Sequence, residues 1–301
     1  MKIEGVVISC YRFDLELTRV CVASIRYWYP DIPIWLLKDR HYGDFSTREI
    51  EKHWRAQVYP QREKTLGWGF GKLEVMTELP RRRFLFVDSD TVFAGRVIEH
   101  LEQFDEDFIV DRDYAAAMPV EEEFFALAKL AALDPDFRFP GFGFNGGQIV
   151  ANTGAITKQD LNGLMNWQTR QVEHPDIFRN GDQGLLNYVV LRKLQHDELT
   201  LRREPLMAWP GGEEAARHIH VSDFTPEGKH HQVIHWAGLR WGKTIEEMPR
   251  SEVLRHFEDV YYRRIGLGSL KRRLRWMRFR IDRDFGQPLR AKIKKTLRLS
   301  S

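Results

Sequence analysis

The sequence predicts an α/β fold: a mixed, mostly parallel sheet flanked by helices, followed by a basic, amphipathic helical tail. Short β-rich apolar runs alternate with segments whose apolar residues recur at four-residue spacing, the pattern of strand and helix units around a parallel sheet. Polar residues stand directly after the most apolar of those runs, where ligands bind in open α/β sheets. From residue 267 the composition changes abruptly, with 12 Lys and Arg against only Asp282 and Asp284.

In chain order, Ile3–Ile8 is the first strand. Asp14 stands at a helix N-cap position ahead of Leu17, Cys21 and Ile25, and Pro30 ends that helix. Ile34–Leu37 is the next strand and Ser46–Trp54 the next helix. A third helix, Lys72–Leu79, stops at Pro80 and leads through Arg81-Arg82-Arg83 into a strand of buried type, Phe84-Leu85-Phe86-Val87. Asp88-Ser89-Asp90-Thr91 follows at once. A helix is expected from Pro119, with Val120, Phe124 and Leu127 on one face, then an aromatic, glycine-rich loop from Phe137 to Gly147. Asp160–Val172 and Asp182–Leu194 read as helices, the second with Leu186, Val190 and Leu194 in register. Gln232-Val233-Ile234 is a strand delivering His235, and no internal repeat is visible.

At 301 residues, 43% hydrophobic and 30% charged, the chain is globular, neither disordered nor fibrous. Two cysteines, Cys10 and Cys21, exclude a disulfide framework and a four-thiolate zinc site. The N-terminus reads as a strand, no run reaches the roughly 18 to 20 apolar residues of a membrane span, and a reducing, cytoplasmic setting is expected. The formal charge is +3, but residues 267–301 carry +10 and residues 1–266 carry −7. That split sets a mildly acidic body, 1–266, apart from a basic tail, 267–301, with about 1–110 and 111–266 as the halves of the body.

Two carboxylates at i and i+2 across a strand end, Asp88 and Asp90, can converge on one divalent cation, although paired turn aspartates are common without one. His235, at the end of a second strand, would add an imidazole and make an N/O site suited to Mn²⁺ more than Mg²⁺. A lone histidine there also fits a purely structural role. His218-x-His220 has the spacing of a zinc pair on a strand, with no cysteine near to complete it. Gly141-Phe142-Gly143-Phe144-Asn145-Gly146 matches GxGxxG but lacks the strand before and helix after that a dinucleotide site needs. It reads instead as a loop whose glycines let backbone approach a ligand. Gly67-Trp68-Gly69-Phe70-Gly71-Lys72 leaves Lys72 at a helix start, able to meet a phosphate. Asp182 and Gln183 open a helix, where capping and a catalytic role are both open readings.

In order, these residues resemble the retaining glycosyltransferases of family 8, which include glycogenin and the bacterial lipopolysaccharide galactosyltransferases. The likeness is carried by GKLEVMTELPRRRFLFVDSDT, by Phe144-Asn145-Gly146-Gly147, by Asp182-Gln183 with Leu186-Asn187, and by His235-Trp236-Ala237-Gly238. It implies a GT-A fold, a nucleotide-diphosphate sugar donor, usually a UDP-sugar, and Mn²⁺ or Mg²⁺ held by Asp88, Asp90 and His235. It further implies Tyr11 against the base, and Ser89, Asn145, Gly146, Gly147 and Gly238 around the donor. Lys72 would contact the donor, and Asp182 and Gln183 the reaction centre. The family's lysine after HxxG is replaced here by Leu239-Arg240-Trp241-Gly242-Lys243, so Arg240 or Lys243 would hold the pyrophosphate.

Two other readings compete. Asp88-Ser89-Asp90-Thr91-Val92 also resembles the haloacid-dehalogenase phosphatase segment, with Asp88 as nucleophile and Asp90 as acid, but that motif normally ends the first strand. A basic-tailed nucleic-acid-binding protein would use Trp276 and Phe279 for stacking. The stripes Leu270, Leu274, Met277, Ile281 and Leu289, Ile293, Leu297 favour an anionic membrane surface over nucleic acid, while helices packed onto the body, or a solvated tail, stay open as the structural reading. The tail would then place the chain peripherally on the inner face of the cytoplasmic membrane, beside a glycan or lipid-linked acceptor.

Overall fold

The computed structural model describes residues 1–286 except 42, 61–68, 114–118, 170, 213 and 241. The strands are β1 (Gly5–Tyr11), β2 (Ile34–Asp39), β3 (Ala56–Val58), β4 (Arg83–Asp88), β5 (Thr91–Phe93) and β6 (Phe108–Asp111). They continue with β7 (Gln148–Asn152), β8 (Met165–Asn166), β9 (Gln171–Val172), β10 (Leu201–Glu204), β11 (Met207–Ala208) and β12 (Val233–His235). The helices are α1 (Leu15–Trp28), α2 (Arg48–Trp54), α3 (Phe70–Met76), α4 (Val97–Leu101) and α5 (Val120–Glu123). After them come α6 (Leu127–Leu133), α7 (Asp182–Gln195), α8 (Glu214–Arg217), α9 (Ser251–Arg263) and α10 (Gly268–Ile281).

The main sheet has the order β10-β6-β7-β4-β1-β2-β3. β7 runs antiparallel to both its neighbours, and the other pairings are parallel. Side chains alternate across it with the strand period of two. Val6, Ile8, Leu85, Val87 and Ile109 enter a core beneath α1 and α9. Val7, Phe84, Phe86, Phe108 and Val110 enter a second core that contains α3 and α7 residues. Strand order reverses at β1, which has β2 on one side and β4 on the other, so the carboxyl ends of β1 and β4 frame a crevice. A smaller sheet, β11-β12-β5, stands over that edge.

Local chemistry overrules the sequence reading at three places. The expected helix Asp160–Val172 is a run of turns with the two-residue hairpin β8–β9. There the Asn166 side chain accepts from the Gln168 and Thr169 amides, and Asp160 accepts from Thr157; these bonds compete with the helix. The helix expected from Pro119 is split into α5 and α6, because Phe125 bridges Phe178 and Ala126 bonds to Ile177. Asp14 precedes α1 without capping it through its side chain; its carboxylate pairs with Arg240. The stripe of Leu270, Leu274, Met277 and Ile281 lies on α10, while the one through Leu289, Ile293 and Leu297 falls outside the described residues.

Candidate active site

The apolar run Phe84–Val87 drives β4 through the core and ends it at Asp88. The chain turns at Ser89 and Asp90 and returns as β5, which pairs antiparallel with β12 so that Thr91 faces His235. The Trp236 amide donates to the Asp90 carbonyl at 3.0 Å, locking the two turns together. That pairing brings His235 Nε2 to 3.3 Å from Asp90 Oδ1 and 3.9 Å from Asp88 Oδ2. Among the described residues, these three form the one group able to offer a metal three ligand atoms, all within 4.8 Å of one another. His235 Nδ1 lies 2.8 Å from Gln148 Oε1, a contact that holds the ring with Nε2 facing the carboxylates. A Cβ at Gly147 would overlap the His235 ring and sit 2.8 Å from Asp88 Oδ2, so only glycine keeps this space open.

The loop ahead of β7 is held from α7. Asn187, fully buried, donates to the Phe144 and Gln183 carbonyls at 2.8 and 2.9 Å and accepts from the Phe144 amide at 2.8 Å. Gln183 accepts from the Gly146 amide at 3.1 Å. The paired Asp-Gln and Leu-Asn blocks of the sequence are therefore two turns of one helix that clamps one loop. His220 joins Asp223 in a local capping box rather than pairing with His218 as zinc ligands.

Lys72 points inward from α3, only 2% exposed. Its ammonium lies 2.6 Å from Asp88, donates to the Gly146 carbonyl at 2.7 Å, and sits 3.9 Å from Asp182 Oδ2. Burial opposes its charge, but Asp88 and Asp182 hold it protonated above the usual lysine range. Asp182 is pushed up to about 7 by burial, against the pull of Lys72, and its Oδ2 has no hydrogen-bond partner. It does not cap α7, whose N-cap is Gly181. Gly69, at φ 82, passes so close that a Cβ there would overlap the Asp182 carboxylate.

These groups open onto a cavity of about 690 Å³. Tyr11, Asp88, Ser89, Asp90, Asn145, Gly146, Gly147, Asp182, Gln183, His235 and Gly238 line it, with Lys72 beneath. Lys243 is exposed and does not line it, whereas Arg240 does. Arg240 pairs with Asp14, lies 3.6 Å from Asp90 Oδ2, and is drawn down to about 10 by burial, still cationic at neutral pH. Asp88 ends the fourth strand of the chain, not the first that a haloacid-dehalogenase nucleophile would occupy. Asp14, Asp39, Glu123, Asn180 and Trp209 also line the cavity, though no motif in the sequence marks them for it. Trp209 follows the two-residue β11, too short to read as a pattern, and its indole N–H donates to the Ala237 carbonyl at 3.0 Å.

No protein-family model and no curated protein matches the sequence. Solved structures do match. The chain is similar to the apo WbbM bifunctional glycosyltransferase at 12% identity and a TM-score of 0.54, covering 86% of this chain and 50% of that one. It resembles apo glycosyltransferase GlyE of Streptococcus pneumoniae TIGR4 at 14% identity and 0.55, over 90% of this chain and 62% of that. With the galactosyltransferase LgtC, in complex with donor and acceptor sugar analogs, it shares 13% identity and a TM-score of 0.53, over 85% and 95% of the two chains. The chain thus spans about half of WbbM and under two thirds of GlyE. The fold common to all is GT-A.

Proposed function

We propose that the chain transfers a sugar from a nucleotide-diphosphate donor, a UDP-sugar, to a glycan or lipid-linked acceptor, with retention at the anomeric carbon. The observation that carries this reading is the convergence of Asp88, Asp90 and His235 on one point beside the buried Lys72–Asp182 pair. Two carboxylates and an imidazole with its Nε2 turned inward fit a divalent cation, Mn²⁺ before Mg²⁺. When bound, that ion would offset the charge developing on the departing diphosphate.

The chain's own groups supply the rest. Arg240 rather than Lys243 would meet the pyrophosphate, a reading supported by its facing the cavity beside Asp90. Tyr11, at the carboxyl end of β1 and lining the cavity, would lie against the base. Asn145 and the Gly146–Gly147 backbone approach the donor sugar, held there by Asn187 and Gln183. Asp182 offers negative charge to the oxocarbenium-like sugar, and Lys72 sets how much of that charge is present at neutral pH. Residues 1–266 carry this chemistry, and 267–301 engage an anionic membrane surface where the acceptor is presented.

A thermal-shift screen of nucleotide sugars with and without Mn²⁺ tests the proposal. Stabilisation by a UDP-sugar only with the metal, lost in Asp90→Asn while that variant stays folded, is the expected result. Undiminished Mn²⁺-dependent turnover by Asp90→Asn would sink the metal assignment, and an inverted product by NMR would sink retention.

A further inference from the structure

Helix α10 has two faces with different partners. On the inner face, Trp276 donates to Glu258 at 2.6 Å. Arg275 reaches Glu49 and the Tyr262 hydroxyl at 2.8 and 2.7 Å, Arg272 pairs with Asp259, and Arg283 beyond the helix meets Glu247 at 2.8 Å. The helix is thus fastened to α9, α2 and the segment before α9 by its cations. Its outer face is apolar: Leu270, Leu274, Met277 and Ile281 are 52%, 42%, 52% and 54% exposed, continued at the ends by Leu267 and Phe285. Arg273 and Arg278 are exposed beside that stripe. Arg272, Arg273 and Arg280 meet Trp276, Met277 and Ile281 in a groove of about 360 Å³, with Glu246 at its rim, 4.0 Å from Arg280.

A packed amphipathic helix hides its apolar residues; this one hides arginines and a tryptophan and displays leucines, methionine and isoleucine. We infer that α10 lies in the plane of an anionic bilayer with this stripe immersed among the acyl chains. Arg273, Arg278 and Arg280 would meet phosphate headgroups, while Arg272, Arg275 and Arg283 hold the catalytic body to the helix. The inference rests on the proposed surface engagement of 267–301 and specifies its face. No helix among the described residues is long and apolar enough to cross a membrane, so the contact is parallel to the surface. Charge complementarity selects anionic lipid over a second copy of the chain, because a symmetric pairing would oppose the same arginines. Residues 287–301 add five Lys and Arg and no acid, which extends the attraction.

Flotation of the full chain with phosphatidylcholine vesicles, and with vesicles containing 30% phosphatidylglycerol, reads the inference directly. Binding is expected to the second and to fall as salt is raised. Leu274→Asp with Met277→Asp should lower it about tenfold or more while leaving the melting temperature and donor hydrolysis unchanged. Arg273→Gln with Arg278→Gln should weaken binding to the anionic vesicles specifically. Failure of the unaltered chain to float would overturn both the surface engagement and this face. Normal flotation by the Leu274/Met277 variant would overturn the face alone. A dimer by light scattering that this variant dissociates would make the stripe a subunit contact and also overturn it.

Discussion

Lys72→Met is the most direct probe of the charge balance in the site. The substitution keeps the length of a fully enclosed side chain and removes the cation between Asp88 and Asp182, 2.6 and 3.9 Å away. At an effective dielectric of about 20, unit charges 3.9 Å apart interact by about 4 kcal/mol, an upper limit equivalent to about a thousandfold in proton affinity. Asp182 is already at about 7 because its burial outweighs Lys72, so without Lys72 it is neutral at physiological pH. A carboxyl raised in the folded state contributes stability that is complete below its unfolded value near 4 and is lost as pH climbs through the folded value. In the parent protein that loss ends a little above 7; in Lys72→Met it continues upward. Melting temperatures from pH 6 to 9 should therefore diverge, with the variant falling further behind at each step, and Asp182→Asn in the same chain should abolish the divergence. Turnover should drop by roughly 10²–10³, the usual cost of one placed charge in such a site. A constant gap between the melting curves, or unchanged turnover, would refute the coupling of Lys72 to Asp182.

Three further outcomes follow from the structure. Burial raises Glu258 to about 7 despite its bond from Trp276, so its contribution is complete below about 4.5 and lost as pH passes 7. Urea midpoints should show the protein losing up to roughly 3 kcal/mol between pH 5 and 8, and Glu258→Gln should flatten that slope; an equally steep slope would contradict it. Asn187→Asp sets carboxylate oxygens against the Phe144 and Gln183 carbonyls that Asn187 now donates to, and should cost about 2 to 5 kcal/mol together with donor binding, an idea that an unshifted midpoint would dispose of. Burial lifts the Cys10 and Cys21 thiols to about 11 and about 12, so iodoacetamide at pH 8 should leave both unmodified in the native chain and alkylate both in guanidinium, as read by mass spectrometry.

What could be read ahead of the structure was what repeats or alternates over enough residues. Four consecutive apolar residues before Asp88 mark a buried strand, and the leucine and valine spacing of α7 marks a helix. That Asp90 and His235 meet depends on the antiparallel pairing of β5 with β12: Gln232-Val233-Ile234 reads as a strand, but the three-residue β5 carries no period to recognise and its choice of partner is a tertiary fact. The glycine-rich loop reads as a place of close backbone approach, but the sequence does not say to what: Gly147 is required by the His235 ring behind it, a tertiary fact. Asp14 takes the N-cap position of α1 that an aspartate ahead of a helix signals, but nothing local announces that its buried carboxylate will find Arg240 rather than the helix amides. Asp160–Val172 failed for the complementary reason, since its apolar spacing was outweighed by Asn166 and Asp160 bonding to nearby backbone.

The opposed charges of the two segments have a different meaning once the contacts are drawn. An acidic body of −7 and a basic tail of +10 would suggest that the tail's cations face outward to a partner and the body's acids face solvent. Instead, Glu49, Glu247, Glu258 and Asp259 receive Arg275, Arg283, Trp276 and Arg272, so part of each charge is consumed in joining the two. Pairs of this kind stabilise little when exposed, but Arg275 bonds Glu49 and Tyr262 together and, against burial and with Arg19, holds Glu49 down at about 2, which gives the joint a fixed geometry. Because the arginines are turned inward, the apolar residues have to turn outward. The exposed stripe of α10 is therefore a consequence of how the helix is fastened, and its outward face is apolar with a basic border rather than simply basic.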